Sequence, residues 1–230
     1  MGRARRTSDA EGSRGRTYDQ MCLIARALDV LGDRWTLLIL RDLFAGLHRF
    51  TDILENCPGL SPNILSNRLK RLEREGLVER RYYRGLPPKV EYHLTEKGRS
   101  VRPVLLSLIR WAREQLGPFP LDEVGKSVPT DFAVRVLPTF TFEPQRAVGL
   151  DAAMVVEISD CEGCNTWTFE IQDGQIRPQR HVNGRADIVL RTTTQGFFRF
   201  LRGEADPAEC GELEGDPALA RAVQACFSAS

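Results

Sequence analysis

Residues 61–94 limit what this chain can fold into more than any other stretch. Ser61-Pro62 is a helix start: a Ser N-cap accepts from the free amides of the first turn, and Pro suits the first helical position. At about 100° per residue, Leu65, Leu69 and Leu72 fall on one side of that helix. Asn63, Asn67, Lys70 and Arg74 fall almost opposite. Glu75-Gly76 ends the helix. Two strand-like runs follow, residues 77–83 and 89–94, around the turn-rich Arg84-Gly-Leu-Pro-Pro. Their stem and tip carry Arg80, Arg81, Arg84 and Lys89. A helix with one apolar face and one cationic, amide-bearing face therefore runs directly into a basic hairpin.

The flanking segments complete a small domain. Residues 22–31 are apolar at helical spacing and stop at Gly32. A second helix from about Arg34 turns Trp35, Leu38, Ile39 and Leu43 inward and stops near Gly46. A short third helix covers about 50–55 before Pro58-Gly59 breaks the chain. Beyond the hairpin, Thr95 is expected to cap one long helix to about Leu116, kinked at Pro103. Its apolar stripe (Val101, Val104, Leu105, Leu108, Ile109, Trp111, Ala112) is wider than one small core needs.

Three helices followed by a charged hairpin is the winged-helix plan. An α-helix fits the major groove, where base edges carry a distinguishable donor and acceptor pattern. Asn pairs with adenine, and Lys or Arg with guanine or phosphate. A solvated amphipathic helix explains the polar face taken alone; the basic hairpin and the charge balance favour DNA. The net charge of +1 conceals that balance: residues 1–120 hold 22 Lys/Arg against 14 Asp/Glu, and residues 121–230 hold 10 against 17.

Residues 22–111 resemble HxlR-type winged helix-turn-helix regulators. The resemblance is carried by CLIARALDVLGDRWTLLILRDL (22–43), RF at 49–50 followed by TDIL, SPNILSNRLKRLEREGLVERRYY (61–83), PPKVEYHLTEKGR (87–99) and LLSLIRW (105–111). It implies a DNA-reading helix at 61–75 and a homodimer built on the first and last helices of the domain. The over-wide stripe fits that arrangement, and a two-fold dimer implies a palindromic operator in double-stranded DNA. Ser61, Asn63, Asn67, Arg68, Lys70 and Arg71 are the helix candidates for DNA contact; Arg84 and Lys89 are the wing candidates. Glu73 and Glu75 are poor phosphate neighbours, so contact should weaken toward that helix end.

The second half reads differently. Residues 1–17 form a basic tail, 18–117 the winged-helix domain, 118–130 a linker and 131–230 a second domain, giving an α+β chain. After the linker the apolar period changes to two. Met154, Val156 and Ile158 alternate with Val155, Glu157 and Ser159; Trp167, Phe169 and Ile171 alternate with Thr168, Glu170 and Gln172, before an Asp173-Gly174 turn. Residues 186–192 make another strand, 194–202 a short helix, and Asp216-Pro217 starts a last helix ending near Phe227. WTFEIQDGQI (167–176), RADIVLRTTTQGFFRFLRGEADP (185–207) and GDPALARAVQACF (215–227) resemble sterol-carrier-protein-like domains. That resemblance implies an apolar cavity for a lipid-like effector, lined by Phe140, Phe142, Met154, Val156, Trp167, Phe169, Phe197 and Leu201. A packed aromatic core without a ligand explains the same residues.

Six cysteines among 230 residues make no disulfide framework, so a reducing cytoplasm is the expectation. No apolar run approaches the roughly 18–20 residues of a membrane span. Cys22 opens the first helix, where thiols can gain reactivity, and it is the redox candidate; a thiol half-buried at a dimer seam is the other reading. Cys161-Glu-Gly-Cys164 has knuckle spacing, but no second pair follows; His181 and Cys210 are the next candidates. No metal, cofactor or catalytic grouping is expected. The expectation is a non-enzymatic transcriptional regulator, a repressor, modulated through its C-terminal domain and Cys22. The alternative is an apolar-ligand binding protein whose winged helix serves dimerisation. A thiol redox enzyme ranks last, because Cys161 and Cys164 lack a strand–helix setting.

Overall fold

The computed structural model describes residues 18, 20–84, 88–117, 123–124, 130–160, 166–180 and 184–227. The basic tail, most of the expected linker, Cys161, Cys164 and His181 lie outside them.

Leu23–Leu31 (α1), Thr36–Phe44 (α2), Phe50–Asn56 (α3) and Pro62–Arg74 (α4) precede an antiparallel hairpin of Val78–Tyr83 (β1) and Lys89–Leu94 (β2). Ile39, Leu40 and Leu43 of α2, Ile53 of α3 and Leu65, Leu69 and Leu72 of α4 form one buried cluster with Leu77, Val78 and Leu94. The expected long helix is two. Glu96–Arg99 (α5) is capped by Thr95, whose hydroxyl accepts from the Gly98 amide at 3.1 Å, and Arg102–Leu116 (α6) follows. Pro103 explains the break. It lacks an amide and its ring would clash with the carbonyl four residues back, so the chain restarts with Pro103 in the first turn of α6 instead of kinking.

Residues 130–141 are also helical (Thr130–Thr141, α7), at the start of the expected second domain, where the sequence reading assigned no element. Pro138 lies inside it, yet Ala133 and Val134 are fully buried and packing outweighs propensity.

Five strands follow: Ala152–Ile158 (β3), Thr166–Gln172 (β4), Gln175–Arg180 (β5), Ile188–Thr192 (β6) and Glu212–Gly215 (β7). Their order is β5-β4-β3-β6-β7; β3 and β6 are parallel and the other pairs antiparallel. Asp173-Gly174 forms the two-residue turn between β4 and β5, both residues at positive φ, as the strand twist requires. Register places Met154 opposite Phe169 and Ile188, and Val156 opposite Trp167 and Leu190. That face packs with Thr194–Arg202 (α8) and Pro217–Gln224 (α9) into a second buried cluster. The last helix thus stops short of Phe227, which pairs with Phe142 through a single bridge. One sheet edge, β5, carries Pro178, whose carbonyl lies against Gly46 in the α2–α3 turn. The other, β7, presents Glu212 and Glu214, both within ion-pair reach of Arg191.

Gly98 joins α5 to the base of the hairpin so closely that a Cβ would collide with the Leu77 carbonyl oxygen. Gly98→Ala is expected to destabilise the chain by about 1–3 kcal/mol, the usual cost of overpacking. Chemical denaturation measures this; an unchanged midpoint would mean that α5 yields freely.

Candidate nucleic-acid interface

The site starts with the ends of α4. Ser61 Oγ accepts from the Ile64 amide at 3.3 Å, which fixes where the helix begins. With Leu65, Leu69 and Leu72 buried below, Ser61, Asn63, Asn67, Lys70 and Arg74 are exposed on the outer face. Arg68 and Arg71 are placed differently. Arg68 pairs with Asp33 at 2.5 Å, and Arg71 donates to the Asp29 carbonyl of α1. These two arginines hold α4 against the α1–α2 segment, so the structure does not bring them onto the outer face with the other four helix candidates, Ser61, Asn63, Asn67 and Lys70.

In the wing, Tyr83 faces Lys89 across the ladder, and Arg84 and Lys89 are exposed at its end. Residues 85–87 of the tip lie outside the described residues. Arg81 pairs with Glu79, and the Arg80 guanidinium sits 4.7 Å over the Tyr82 ring. Tyr82 and Tyr83 are 67% and 43% exposed, an aromatic surface beside the cations that sequence reasoning passed over. The signal was there: two consecutive tyrosines in a strand cannot both face one core.

Helix α2 holds a buried polar group. Asp42 is fully buried, and its Oδ1 accepts from Arg41 Nε at 2.8 Å and Asn56 Nδ2 at 2.9 Å. Its Oδ2 accepts from the Cys57 thiol at 3.2 Å. Burial raises the Asp42 pKa, and the cation and donors around it oppose that shift. Burial, and then the neighbouring Asp42, push the Cys57 thiol up to about 12, so it stays protonated and donates. Cys22 is instead exposed at the N-cap of α1, where its side chain makes no capping bond. Among the described residues no group of three or more His, Cys, Asp or Glu is placed to hold a metal ion. Nor is any described helix long and apolar enough to cross a membrane.

Seven of the eight expected cavity residues lie in one packed cluster: Phe142, Met154, Val156, Trp167, Phe169, Phe197 and Leu201. Phe169 stacks on Phe197 with centroids 5.7 Å apart. Phe140 points elsewhere, meeting Phe44 of α2 edge to face at 6.1 Å. An open cleft of about 470 Å³ lies at the ends of β3 and β6, lined by Glu157, Ser159, Arg191, Thr193 and Cys210. None of the eight lines it.

Comparison with known proteins places the N-terminal half. The HxlR-like helix-turn-helix family model matches residues 30–119. The chain is 41% identical over 104 residues to the uncharacterized HTH-type transcriptional regulator YvaP of Bacillus subtilis, covering 45% of this chain and 96% of that one. It is 41% identical over 88 residues to the uncharacterized HTH-type transcriptional regulator sll1512 of Synechocystis, covering 38% of this chain and 65% of that one. The reduced form of the transcriptional regulator YodB from B. subtilis aligns at 38% identity with a TM-score of 0.38, covering 44% of this chain and 99% of that one.

The wing rests on a histidine pair. His48 Nδ1 donates to the Tyr92 carbonyl at 3.0 Å, and its ring stacks on His93 with centroids 4.2 Å apart. Burial, then the neighbouring His93, lower the His48 pKa from the usual 6.5. The unfolded chain therefore binds this proton first. Stability is fully present above the ordinary value and declines as pH falls through it, levelling off below the folded-state pKa. The denaturation midpoint should drop between about pH 7.5 and about pH 5.5, and His48→Gln should flatten that drop. An equal drop in the variant would move the proton to another group.

Proposed function

Because the chain belongs to the HxlR-like helix-turn-helix family, we propose that it is a transcriptional regulator that binds duplex DNA as a homodimer, without enzymatic activity. The observation that carries this is the outer face of α4. Asn63, Asn67 and Lys70 stand exposed on a helix capped at Ser61, beside the exposed Arg84 and Lys89 of the wing. In this reading α4 enters the major groove, its amides read base edges, and the wing reaches phosphate or the minor groove. Arg68 and Arg71 hold α4 in place unless DNA draws them out.

The partner is a second copy of the chain. Leu23, Ile24 and Leu28 of α1 and Leu108, Ile109 and Trp111 of α6 are between 43% and 79% exposed. Such a concentration of apolar surface marks an interface. Two-fold pairing makes the operator a palindrome and puts Cys22, at the start of α1, beside the seam, where its oxidation or alkylation would alter the dimer. Residues 18–117 form the DNA-binding and dimerisation domain, and residues 131–230 a sterol-carrier-like effector domain. Since the expected lining is packed, an apolar effector enters that domain by displacing core side chains. Occupancy of the operator represses, and effector binding relieves it.

Selection from a random-sequence duplex pool with the full chain should enrich a palindrome. Against the enriched duplex, Arg84→Ala should weaken binding across sequences and reduce the salt slope by about one. Asn67→Ala should cost about 1–3 kcal/mol of discrimination at one position per half-site. No enrichment, or preferences untouched by Asn67→Ala, would dismiss this recognition face. Leu108→Glu should shift the sedimentation equilibrium to monomer; a persisting dimer would place the seam elsewhere.

A further inference from the structure

Helix α7 meets the winged-helix domain at three points. The Arg41 guanidinium carbon lies 4.7 Å over the Phe132 ring. Phe44 and Phe140 meet edge to face. Arg102, half-buried, donates to the Thr139 and Phe142 carbonyls at 2.8 and 3.3 Å, at the end of α7. On its other side α7 belongs to the C-terminal core: Trp167 Nε1 donates to Asp131 Oδ1 at 3.0 Å, and Trp167 is fully buried. Consecutive residues of α7 therefore touch the centre of one domain and the surface of the other.

Arg41 is held from both directions. One side faces Phe132; the other bonds Asp42, whose remaining donors are Asn56 and Cys57. Those two residues end α3, and only residues 58–60 separate them from the Ser61 cap of α4. A buried carboxylate cannot part from its cation cheaply. If Phe132 moves and Arg41 follows, Asp42 must move too or change donors, and the close packing leaves little slack between these arrangements.

We infer that the C-terminal domain sets the position of α4 through one series: Trp167 to Asp131 on α7, the adjoining Phe132 to Arg41, Arg41 to Asp42, and Asp42 to Asn56 and Cys57 at the turn into the Ser61 cap. The series exists in the geometry; its consequence for DNA rests on the reading of α4 proposed above. An event that shifts Trp167 in the C-terminal core is passed to the helix that meets the operator.

Hydrogen exchange on the full chain tests the series without DNA. Phe132→Ala removes the ring facing Arg41. Amides of residues 56–61 should then exchange about fivefold faster or more, the loss expected for one cation–aromatic contact, while β3 and β4 keep their rates. Phe132→Tyr, which keeps the aromatic face, should restore protection. Unchanged rates at 56–61, equal acceleration through β3 and β4, or failure of Tyr to restore would each overturn the series. A second arm measures affinity for the enriched duplex, which Phe132→Ala should change several-fold while Phe132→Tyr does not. If the unmodified chain enriches no duplex, the DNA reading fails alone, and the exchange result still decides the coupling.

Discussion

A carboxylate sealed from water must find its donors inside the fold, and Asp42 finds them on two elements that would otherwise be free to pivot. Arg41 comes from its own helix, Asn56 and Cys57 from the end of α3. The apolar cluster of Ile39, Leu40, Ile53, Leu65 and Leu69 drives α2, α3 and α4 together, but burial has no direction. Directional bonds to a buried charge select one angle among those the apolar contacts would tolerate. The same burial keeps Cys57 protonated, so the thiol four residues before the Ser61 cap acts as a hydrogen-bond donor and not as a nucleophile. Held this way, α2 shares its buried cluster with α4 and the base of the wing and meets α7 through Arg41 and Phe44.

What the sequence revealed was mostly local. Ser61-Pro62 and Glu75-Gly76 marked α4 because caps are written in adjacent residues. Asp173-Gly174 marked its hairpin for the same reason. The split at residues 100–101 and the helix over 130–141 both involve proline. Pro103 suggests a kink where it begins a new helix, and Pro138 lies inside the other. Arg68 and Arg71 show a different limit. Periodicity puts both on the flank of α4, but Asp33 and the Asp29 carbonyl, far away in the chain, take them inward. The eight apolar residues assigned to a cavity show a third. A period of two says which face is buried, but only the assembled sheet and helices say that Phe169, Phe197 and Trp167 close on one another.

The C-terminal domain is joined to the rest by α7 and by the sheet edge at β5. Its contacts there are aromatic or main-chain: Phe132, Phe140 and the carbonyls of Thr139, Phe142 and Pro178. Among the described residues, the two halves of opposite charge meet through an arginine on a ring, an arginine on carbonyls and a pair of phenyl groups, which do not depend on net charge.

The two edges of the C-terminal sheet are protected in unequal ways. On β7, Glu212 and Glu214 project from the strand, and charge on an edge discourages pairing with another chain. On β5 the protection comes from Pro178, which cannot donate to a new ladder, and from the α2–α3 turn resting against it at Gly46. Half of that second guard belongs to the other domain. Without the winged helix, the part of the β5 edge at Pro178 that faces Gly46 would lose that cover. Through Gly46, the winged helix thus supplies part of the cover over the β5 edge of its neighbour.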